Sequence, residues 1–474
     1  MKALFRETTA EPGLITPAPE ALVTTMEASL RDLALLAVTL AALVAGGWAA
    51  KRVDAPLVGE IVVGMLLGPS GLVPTLPDYA VRAVFLVGDL GLVLLVMEGG
   101  LSVDVPSLRR VGSVACLIAV AGTALPIALG TAFMVAAGFD ATTGVVAGTA
   151  LSSTSIGMAT RLMATFGELS TPLGALVCVA AMVDDVLSLV ILAIISEGLA
   201  NGSDSSSSSN GSKALTAATP ALVSVAVVAV AAILFRTVPS ATRLVKSRLT
   251  PRSDENAAAF DAVVLASMLA LTLAATVGAG AVGSTHLLGA FAGGMAFASV
   301  DGARDVWERD ASAVAAWTHS IFFLAVGFHV PLTDMFVPLK GFGLGVGYAV
   351  PAIVGKLVTG FIVGADVRKA FVVGWAMVGR GELGFVMAGS AFRNGLLDST
   401  AYVASVWALL VATLVSPIQM RGALRRWKEK EKNDDEMIAG AGSDPNDDAL
   451  VVGGAEGFTA EATGAERAKN AIVV

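Results

Sequence analysis

Long apolar runs dominate the 474-residue sequence and constrain its fold more than any other feature. A helix that crosses a bilayer needs about 20 mainly apolar residues. Such runs lie at 29–50, 56–73, 80–101, 111–137, 141–163, 171–199, 214–236, 257–279, 284–300, 313–330, 338–365, 369–392 and 400–420. Charged residues make up only 15% of the chain, against about 25% in soluble proteins. The sequence therefore predicts an all-α, polytopic membrane protein with about thirteen transmembrane helices.

The stretches outside these runs define the remaining organisation of the chain. Residues 1–28 are predicted to be an N-terminal extracytoplasmic segment, and residues 29–420 form the transmembrane domain. The low-complexity stretch 201–213, NGSDSSSSSNGSK, has the composition of a flexible Ser-rich outer loop. Residues 421–474 begin basic and then become acidic and rich in Gly and Ala, which is typical of a disordered cytoplasmic tail.

The loop Lys and Arg residues indicate how the chain is oriented. Their main clusters lie at 51–52, 109–110, 236–252, 304–309, 368–369 and 421–432. With an odd number of spans, all these clusters fall on one side of the membrane. Cytoplasmic loops are the ones that carry the excess of Lys and Arg. The sequence thus predicts a multi-pass protein with its N-terminus outside and its C-terminus cytoplasmic, and it leaves open whether the membrane is the plasma membrane or that of an organelle.

Several function classes find no support in the sequence. No basic patch with interleaved aromatic residues suggests nucleic acid, and no glycine-rich nucleotide fingerprint follows the last span. Both cysteines, Cys116 and Cys178, fall inside apolar runs, so no disulfide framework is implied. We therefore expect a protein that is not an enzyme, has no resident cofactor and has the lipid bilayer as its main surroundings.

Two adjacent aspartates, Asp184 and Asp185, interrupt the apolar sixth run. An ionised carboxylate inside a membrane is costly, and intramembrane acids mark ion or proton pathways by default. Adjacent residues on a helix point about 100° apart, so the two carboxylates cannot share one task. One can face a cavity while the other faces a neighbouring helix. A purely structural ion pair would need one aspartate, which favours a functional interpretation of the two.

Lys356 is the basic counterpart that the aspartates require. It lies in AIVGKLVTGF with about nine apolar residues on either side, too deep for its ammonium group to reach water easily. A buried charge of this kind is expected to pair with an opposite charge. Lys356 is therefore predicted to form an ion pair with one of the two aspartates.

Two spans carry signals of a broken helix. The fifth contains Ser152, Ser153, Thr154 and Ser155 in its middle, and such side chains compete for backbone hydrogen bonds. The twelfth contains Gly379 and Gly381 on either side of Arg380, followed by Glu382. Interrupted spans at corresponding places in two halves of a chain indicate a transport site. Charged residues there can compensate the exposed helix ends.

Taken together, seven segments resemble monovalent cation/proton antiporters of the cation:proton antiporter-2 family. These are VGEIVVGMLLGPSGL (58–72), LGLVLLVMEGGLSVD (90–104), TALSSTSIGMA (149–159), VDDVLSL (183–189), LLGAFAGGMAFA (287–298), FFLAVGFHVPL (322–332) and GRGELGFVMAG (379–389). The resemblance implies two inverted-topology repeats, spans 2–6 and 9–13. It also implies that crossed discontinuous helices, spans 5 and 12, move against a dimerisation domain in a homodimer.

The resemblance also implies roles for individual residues. Asp185 matches the carboxylate that binds the transported Na⁺ or K⁺ and the proton, and Asp184 matches the neighbour that pairs with a lysine, here Lys356. Arg380 and Glu382 match the charged motif of the second broken helix, and Ser152 to Ser155 match the first crossing segment. Ser188 is an auxiliary polar candidate. An Asp–Asp–Lys set resembles the electrogenic members, so the resemblance implies electrogenic exchange of H⁺ for a monovalent cation by alternating access.

Three other functions stay open at this point. An intramembrane aspartyl protease needs two facing aspartates and a Gly-x-Gly-Asp motif, which LVGD (86–89) matches only in part. A sodium-coupled organic anion symporter can share the fold but would not need a lysine opposite Asp184. A channel or sensor on the same scaffold is the third. The sequence does not distinguish Na⁺ from K⁺.

Overall fold

The computed structural model describes residues 30–69, 76–195, 210–248 and 254–441. The segment 1–28, most of the Ser-rich loop and the tail beyond 441 lie outside the described residues. The chain consists of two compact units, residues 1–425 and residues 426–474. Regular secondary structure in the described part is entirely helical, as the sequence predicts.

Seventeen α-helices make up the described chain. They are α1 (Leu30–Ala50), α2 (Pro56–Leu67), α3 (Asp78–Leu101), α4 (Val105–Ala136), α5 (Ala141–Ala150), α6 (Ile156–Thr165), α7 (Pro172–Ala193), α8 (Asn210–Arg248), α9 (Asp254–Ala281), α10 (His286–Phe297), α11 (Ala303–Asp310), α12 (Ser312–Phe328), α13 (Leu332–Met335), α14 (Leu344–Leu357), α15 (Val367–Val378), α16 (Glu382–Arg393) and α17 (Ser399–Ala441). A π-helical turn (Pro338–Gly343) precedes α14, and a 3₁₀ segment (Val358–Val363) follows it.

Fewer helices are long and apolar enough to cross a membrane than the sequence predicts. Eight helices in the described residues are long and apolar enough to cross a membrane, and up to ten if each strongly bent pair counts as one span. Those pairs are α11 with α12, bent by 67°, and α15 with α16, bent by 42°. The predicted spans 56–73 and 284–300 correspond to α2 and α10 of 12 residues each, about 18 Å long and shorter than a hydrocarbon core of about 30 Å. A count of thirteen therefore stays a prediction.

Two helix ends differ from the predicted boundaries. α8 begins at Asn210, so the last residues of the stretch assigned to the flexible loop are helical. α17 continues to Ala441, so the first part of the predicted disordered tail is helical as well. Its alternating Lys and Glu residues suit a helix, and Lys428 lies 3.5 Å from Glu431 at an i, i+3 spacing. A high charge content indicates exposure to water, and the sequence prediction treated that exposure as disorder.

The helices of residues 30–425 form two bundles. α1, α2, α3, α8, α9, α10 and α12 pack mainly on one another, and we call this set the scaffold bundle. α4, α5, α6, α7, α14, α15 and α16 form the core bundle. α17 joins the core bundle through two hydrogen bonds, from Ser416 Oγ to the Trp375 carbonyl and from Thr413 Oγ1 to the Arg380 carbonyl. This division places all the predicted site residues in the core bundle.

Within the scaffold bundle, two helix crossings are built in the same way. Gly64 of α2 lies against Gly327 of α12, and Gly294 of α10 lies against the stretch of α3 that contains Gly100. In both crossings, a side chain on either glycine would meet the backbone of the opposite helix. α2, from the first expected repeat, thus packs on α12 from the second, and α10, from the second, packs on α3 from the first. This reciprocal packing supports the expected inverted repeat, which stays a prediction.

A substitution at Gly100 tests how closely these helices must approach. Gly100→Ala will destabilise the protein by about 1–3 kcal/mol, because its Cβ would meet the backbone of α10 and force the helices apart. The matched control is Gly99→Ala, since an added Cβ at Gly99 meets nothing within 4 Å. Thermal unfolding in detergent should show a lower midpoint for the first variant only; equal midpoints for both would contradict the packing described.

Candidate ion-binding site

The two predicted breaks meet at the centre of the core bundle. Helix α5 ends at Ala150 and α6 begins at Ile156, while α15 ends at Val378 and α16 begins at Glu382. The breaks are joined directly, because the Ser155 N–H donates to the Gly379 carbonyl at 2.8 Å. Thr154 Oγ1 donates to the Met377 carbonyl at 3.1 Å. Both spans are therefore discontinuous, and their interrupted segments cross.

The residues of the first break explain why the helix stops there. Ser152 Oγ donates to the Thr149 carbonyl at 2.7 Å, which satisfies one of the carbonyls exposed at the end of α5. Ser155 is the N-cap of α6, and its hydroxyl accepts from the Met158 N–H at 3.4 Å. Hydroxyl side chains thus replace part of the backbone hydrogen bonding that a continuous helix would provide.

Asp184 forms a buried ion pair with Lys356. Lys356 Nζ lies 2.8 Å from Asp184 Oδ1, and both side chains are fully buried. The same carboxylate oxygen accepts from Thr123 Oγ1 of α4 at 3.0 Å. Lys356 Nζ also donates to Thr154 Oγ1 at 2.7 Å. One ammonium group thus ties α14 to α7 and to the first break.

Arg380 compensates the helix ends at the crossing. It is fully buried and donates to the Ser153 carbonyl at 3.1 Å and to the Ala352 carbonyl. α5 and α15 both direct their C-terminal ends, which carry partial negative charge, towards this point. A guanidinium group suits such a position because it presents several donors to backbone oxygens. Arg380 therefore holds the two breaks together.

Asp185 faces a cavity rather than the lysine. The cavity has a volume of about 930 Å³ and lies between the core and scaffold bundles. Asp185 is 8% exposed and lines it together with Ser155 and Glu382. The helical offset between adjacent residues thus separates one aspartate, inside the core bundle, from the other, at the cavity wall. Among the described residues, no group of three or more His, Cys, Asp or Glu side chains could hold a metal ion.

The scaffold bundle supplies the opposite wall of the cavity. Glu60, Glu98, His319 and Ser320 line it, and Ser320 Oγ donates to Glu60 Oε1 at 2.7 Å. The cavity extends to Asp54, Asp104, Arg110, Arg161 and Arg304. These residues lie beside the loops that are rich in Lys and Arg. The cavity is therefore open towards the side that the sequence predicts to be cytoplasmic.

One contact of the ion pair and one wall of the cavity could not be predicted from the sequence. Thr123 gave no distinctive signal, because a threonine inside a helix commonly bonds to its own backbone, as Thr123 Oγ1 also does with the Ala119 carbonyl at 2.9 Å. The cavity wall of the scaffold bundle comes from helices that are distant in sequence. Two predicted residues have weaker support: Ser153 Oγ and Ser188 Oγ are buried without a hydrogen-bond partner in the described part of the chain.

The protein family of this chain follows from its similarity to known proteins. The family described as "Sodium/hydrogen exchanger, transmembrane" matches residues 36–425, which contain both breaks, the ion pair and the cavity-lining Asp185. The chain belongs to this family. Its membership makes the chain a transporter of the monovalent cation/proton antiporter type and agrees with the resemblance found in its motifs.

Individual relatives share most of the length of this family member. The high-affinity Na⁺/H⁺ antiporter NhaS3 of Synechocystis is 28% identical over 78% of this chain and 79% of its own length. The Na⁺/H⁺-K⁺ antiporter GerN of Bacillus cereus is 23% identical over 81% of this chain and 94% of its own. The solved structure of the sodium proton antiporter MjNhaP1 from Methanocaldococcus jannaschii is 14% identical, with a TM-score of 0.57, and covers 83% of this chain and 96% of its own. That structure supports the fold.

Proposed function

We propose that this protein exchanges protons for a monovalent alkali cation, Na⁺ or K⁺, across a membrane by alternating access. The observation that carries the proposal is the position of Asp185. Its carboxylate lies at the wall of a cavity between two bundles, next to a fully buried Asp184–Lys356 pair at the crossing of two broken helices. The proposal also rests on membership of the sodium/hydrogen exchanger family.

The chemistry of Asp185 explains coupled exchange. Its carboxylate can be neutralised by a proton or by a cation that has lost part of its water shell. The same carboxylate cannot bind the proton and the cation at the same time. A neutralised carboxylate can move past the middle of the membrane, whereas an empty, charged one meets a large desolvation barrier. Each time the core bundle moves from one side of the membrane to the other, Asp185 then carries either a cation or a proton. Exchange of the two ions is therefore obligatory.

The Asp184–Lys356 pair makes the exchange electrogenic in this proposal. A buried ion pair is stable while both partners stay charged, and it is costly to leave either partner alone. If Lys356 gives up a proton and releases Asp184 when the cation arrives, and takes up a proton and pairs again when the cation leaves, two protons move against one cation in each cycle. The charges carried in the two directions then differ.

The direct test is reconstitution of the protein in liposomes with a lumenal pH dye. A Na⁺ or K⁺ gradient should drive proton movement in the opposite direction, with a rate that follows an imposed membrane potential. Proton movement that ignores the potential would contradict electrogenic exchange while leaving exchange itself intact. If no alkali cation drives protons, the antiporter proposal is wrong, and a sodium-coupled anion symporter or a sensor on the same scaffold takes its place.

We further infer that the protein is a homodimer with its N-terminus outside and its C-terminus cytoplasmic. The position of the Lys- and Arg-rich loops supports the orientation. In this orientation, the cavity of the present structure faces the cytoplasm. The molecular mass in detergent, measured by light scattering, tests the dimer.

A further inference from the structure

We propose that Asp54 and Arg421 form a latch that holds the core and scaffold bundles together while the cavity is open, and that this latch must release during each transport cycle. The inference rests on the alternating-access function proposed above. It starts from the ion pair between Arg421 Nη2 and Asp54 Oδ2. Among the ion pairs of the described residues, this pair differs from the others in joining the two bundles.

The other ion pairs connect residues of one bundle or neighbouring segments. Arg309 and Asp261 join α11 to α9, and Arg304 and Glu308 lie on the same helix, as do Arg309 and Asp310. Asp184 and Lys356 are both in the core bundle. Movement of one bundle against the other leaves all these pairs intact, whereas it separates Asp54 from Arg421.

The scaffold side of the latch is held rigidly. Asp54 lies in the turn between α1 and α2, with a left-handed backbone conformation at φ 57°. Its N–H donates to the Lys51 carbonyl, and the Ala55 N–H donates to the Ala50 carbonyl at 3.2 Å. Aspartate and asparagine tolerate a positive φ better than most residues. The turn therefore presents the carboxylate at a defined position instead of on a flexible loop.

The core side of the latch is anchored to the ion-binding site. Arg421 lies on α17, five residues after Ser416, whose hydroxyl donates to the Trp375 carbonyl in the second discontinuous span. Thr413 on the same helix donates to the Arg380 carbonyl at the break. A displacement of the broken helices is therefore expected to move Arg421.

The latch lies at the mouth of the cavity. Asp54 itself lines the cavity, as Asp185 does. The side chains are 16% exposed for Asp54 and 40% for Arg421, so water reaches the pair from the Arg421 side and the pair can open at small cost. An ion pair of this strength shifts the balance between two conformations without trapping either. The geometry thus assigns it the task of favouring the form that is open on this side.

Cys178 provides a direct readout of that conformation. It lies on α7, is partly exposed and lines the cavity. The second cysteine, Cys116, is exposed and would also react, so it is first replaced by Cys116→Ala. The rate at which a small cationic methanethiosulfonate modifies Cys178 reports how often the cavity is open. In this background, we expect Asp54→Asn and Arg421→Gln each to slow the modification by up to about fivefold, the shift that a partly exposed ion pair can supply. Asn retains the backbone conformation of the turn.

Two comparisons separate a latch from a general charge effect. The double variant should react as slowly as either single variant, because the second change removes nothing further. Glu308→Gln is the matched control: it removes another cavity-lining acid from an ion pair with arginine, but that pair lies within α11, so the rate should stay as in the parent. An unchanged rate in Asp54→Asn, or an equal slowing in Glu308→Gln, would overturn the proposal.

A cross-link tests whether the latch must release. In a chain without native cysteines, we expect cysteines introduced by Asp54→Cys and Arg421→Cys to be joined by a short cleavable bis-methanethiosulfonate, and exchange to stop until a reductant cleaves the link. Full exchange by the linked protein would show that this contact never opens and would refute the latch. If the unlinked parent shows no exchange, the proposed function fails instead. The Cys178 measurement still decides the latch in that case, because it needs no transport.

Discussion

Replacement of Asp185 with Asn will reduce cation-driven proton movement to the level of protein-free liposomes. The substitution keeps the size and polarity of the side chain, so the walls of the cavity should be preserved. An amide binds neither a proton nor an alkali cation with the affinity of a carboxylate, so the competition that couples the two ions is lost. The measurement is the response of a lumenal pH dye to Na⁺ and to K⁺ gradients, with equal amounts of folded protein in each preparation.

The matched control for this variant is Asp104→Asn. Asp104 also lines the cavity, and its side chain caps α4 by accepting from the Ser107 N–H at 3.3 Å. Asparagine is an equally good helix cap, so this change removes a cavity carboxylate without disturbing the fold. The control should retain exchange. Substantial exchange by Asp185→Asn under both gradients would show that the ion-binding site lies elsewhere.

The second large effect is expected on stability. Lys356→Met should destabilise the protein by about 3–5 kcal/mol, because it leaves Asp184 charged, fully buried and without its counter-ion. The Thr123 hydroxyl alone cannot replace the ammonium group. Thermal unfolding of the purified variant, followed by intrinsic fluorescence, would show the loss as a clear fall in the midpoint.

A second substitution distinguishes this reason from a simple packing defect. Adding Asp184→Asn to Lys356→Met removes the stranded charge, and most of the lost stability should return. Arg304→Gln serves as the control for the loss of any ion pair, because Arg304 and Glu308 are 64% and 62% exposed and their pair contributes at most about 1 kcal/mol. If the double variant is as unstable as Lys356→Met, the buried charge is not the cause.

The regular features of this chain were predictable because they depend on neighbours in sequence. Apolar runs identify helices that cross a membrane, whatever they later contact. The hydroxyl run at Ser152–Ser155 and the glycines beside Arg380 identify the breaks because they weaken helical hydrogen bonding locally. The 100° offset between Asp184 and Asp185 follows from the helix itself, so it was predictable that the two would do different things.

The sequence is less informative where local composition permits two outcomes. The charged residues after 420 suit both a solvated disordered tail and a solvated helix, and the structure shows a helix as far as Ala441. α2 and α10 are apolar but, at 12 residues each, shorter than a typical membrane span, so the two crossings predicted there stay a prediction.

By itself, the sequence determined that this protein is helical and membrane-embedded, where two helices break and which rare charges lie inside. The resemblance already assigned Lys356 to Asp184, and the structure places the two in contact. Only the tertiary structure decided that Thr123 supports the pair and that Asp185 shares a cavity with residues of the scaffold bundle. The physical reason is distance along the chain. Hydropathy and helix-breaking act over a few neighbouring residues, whereas an ion pair between positions 172 residues apart depends on how whole helices pack.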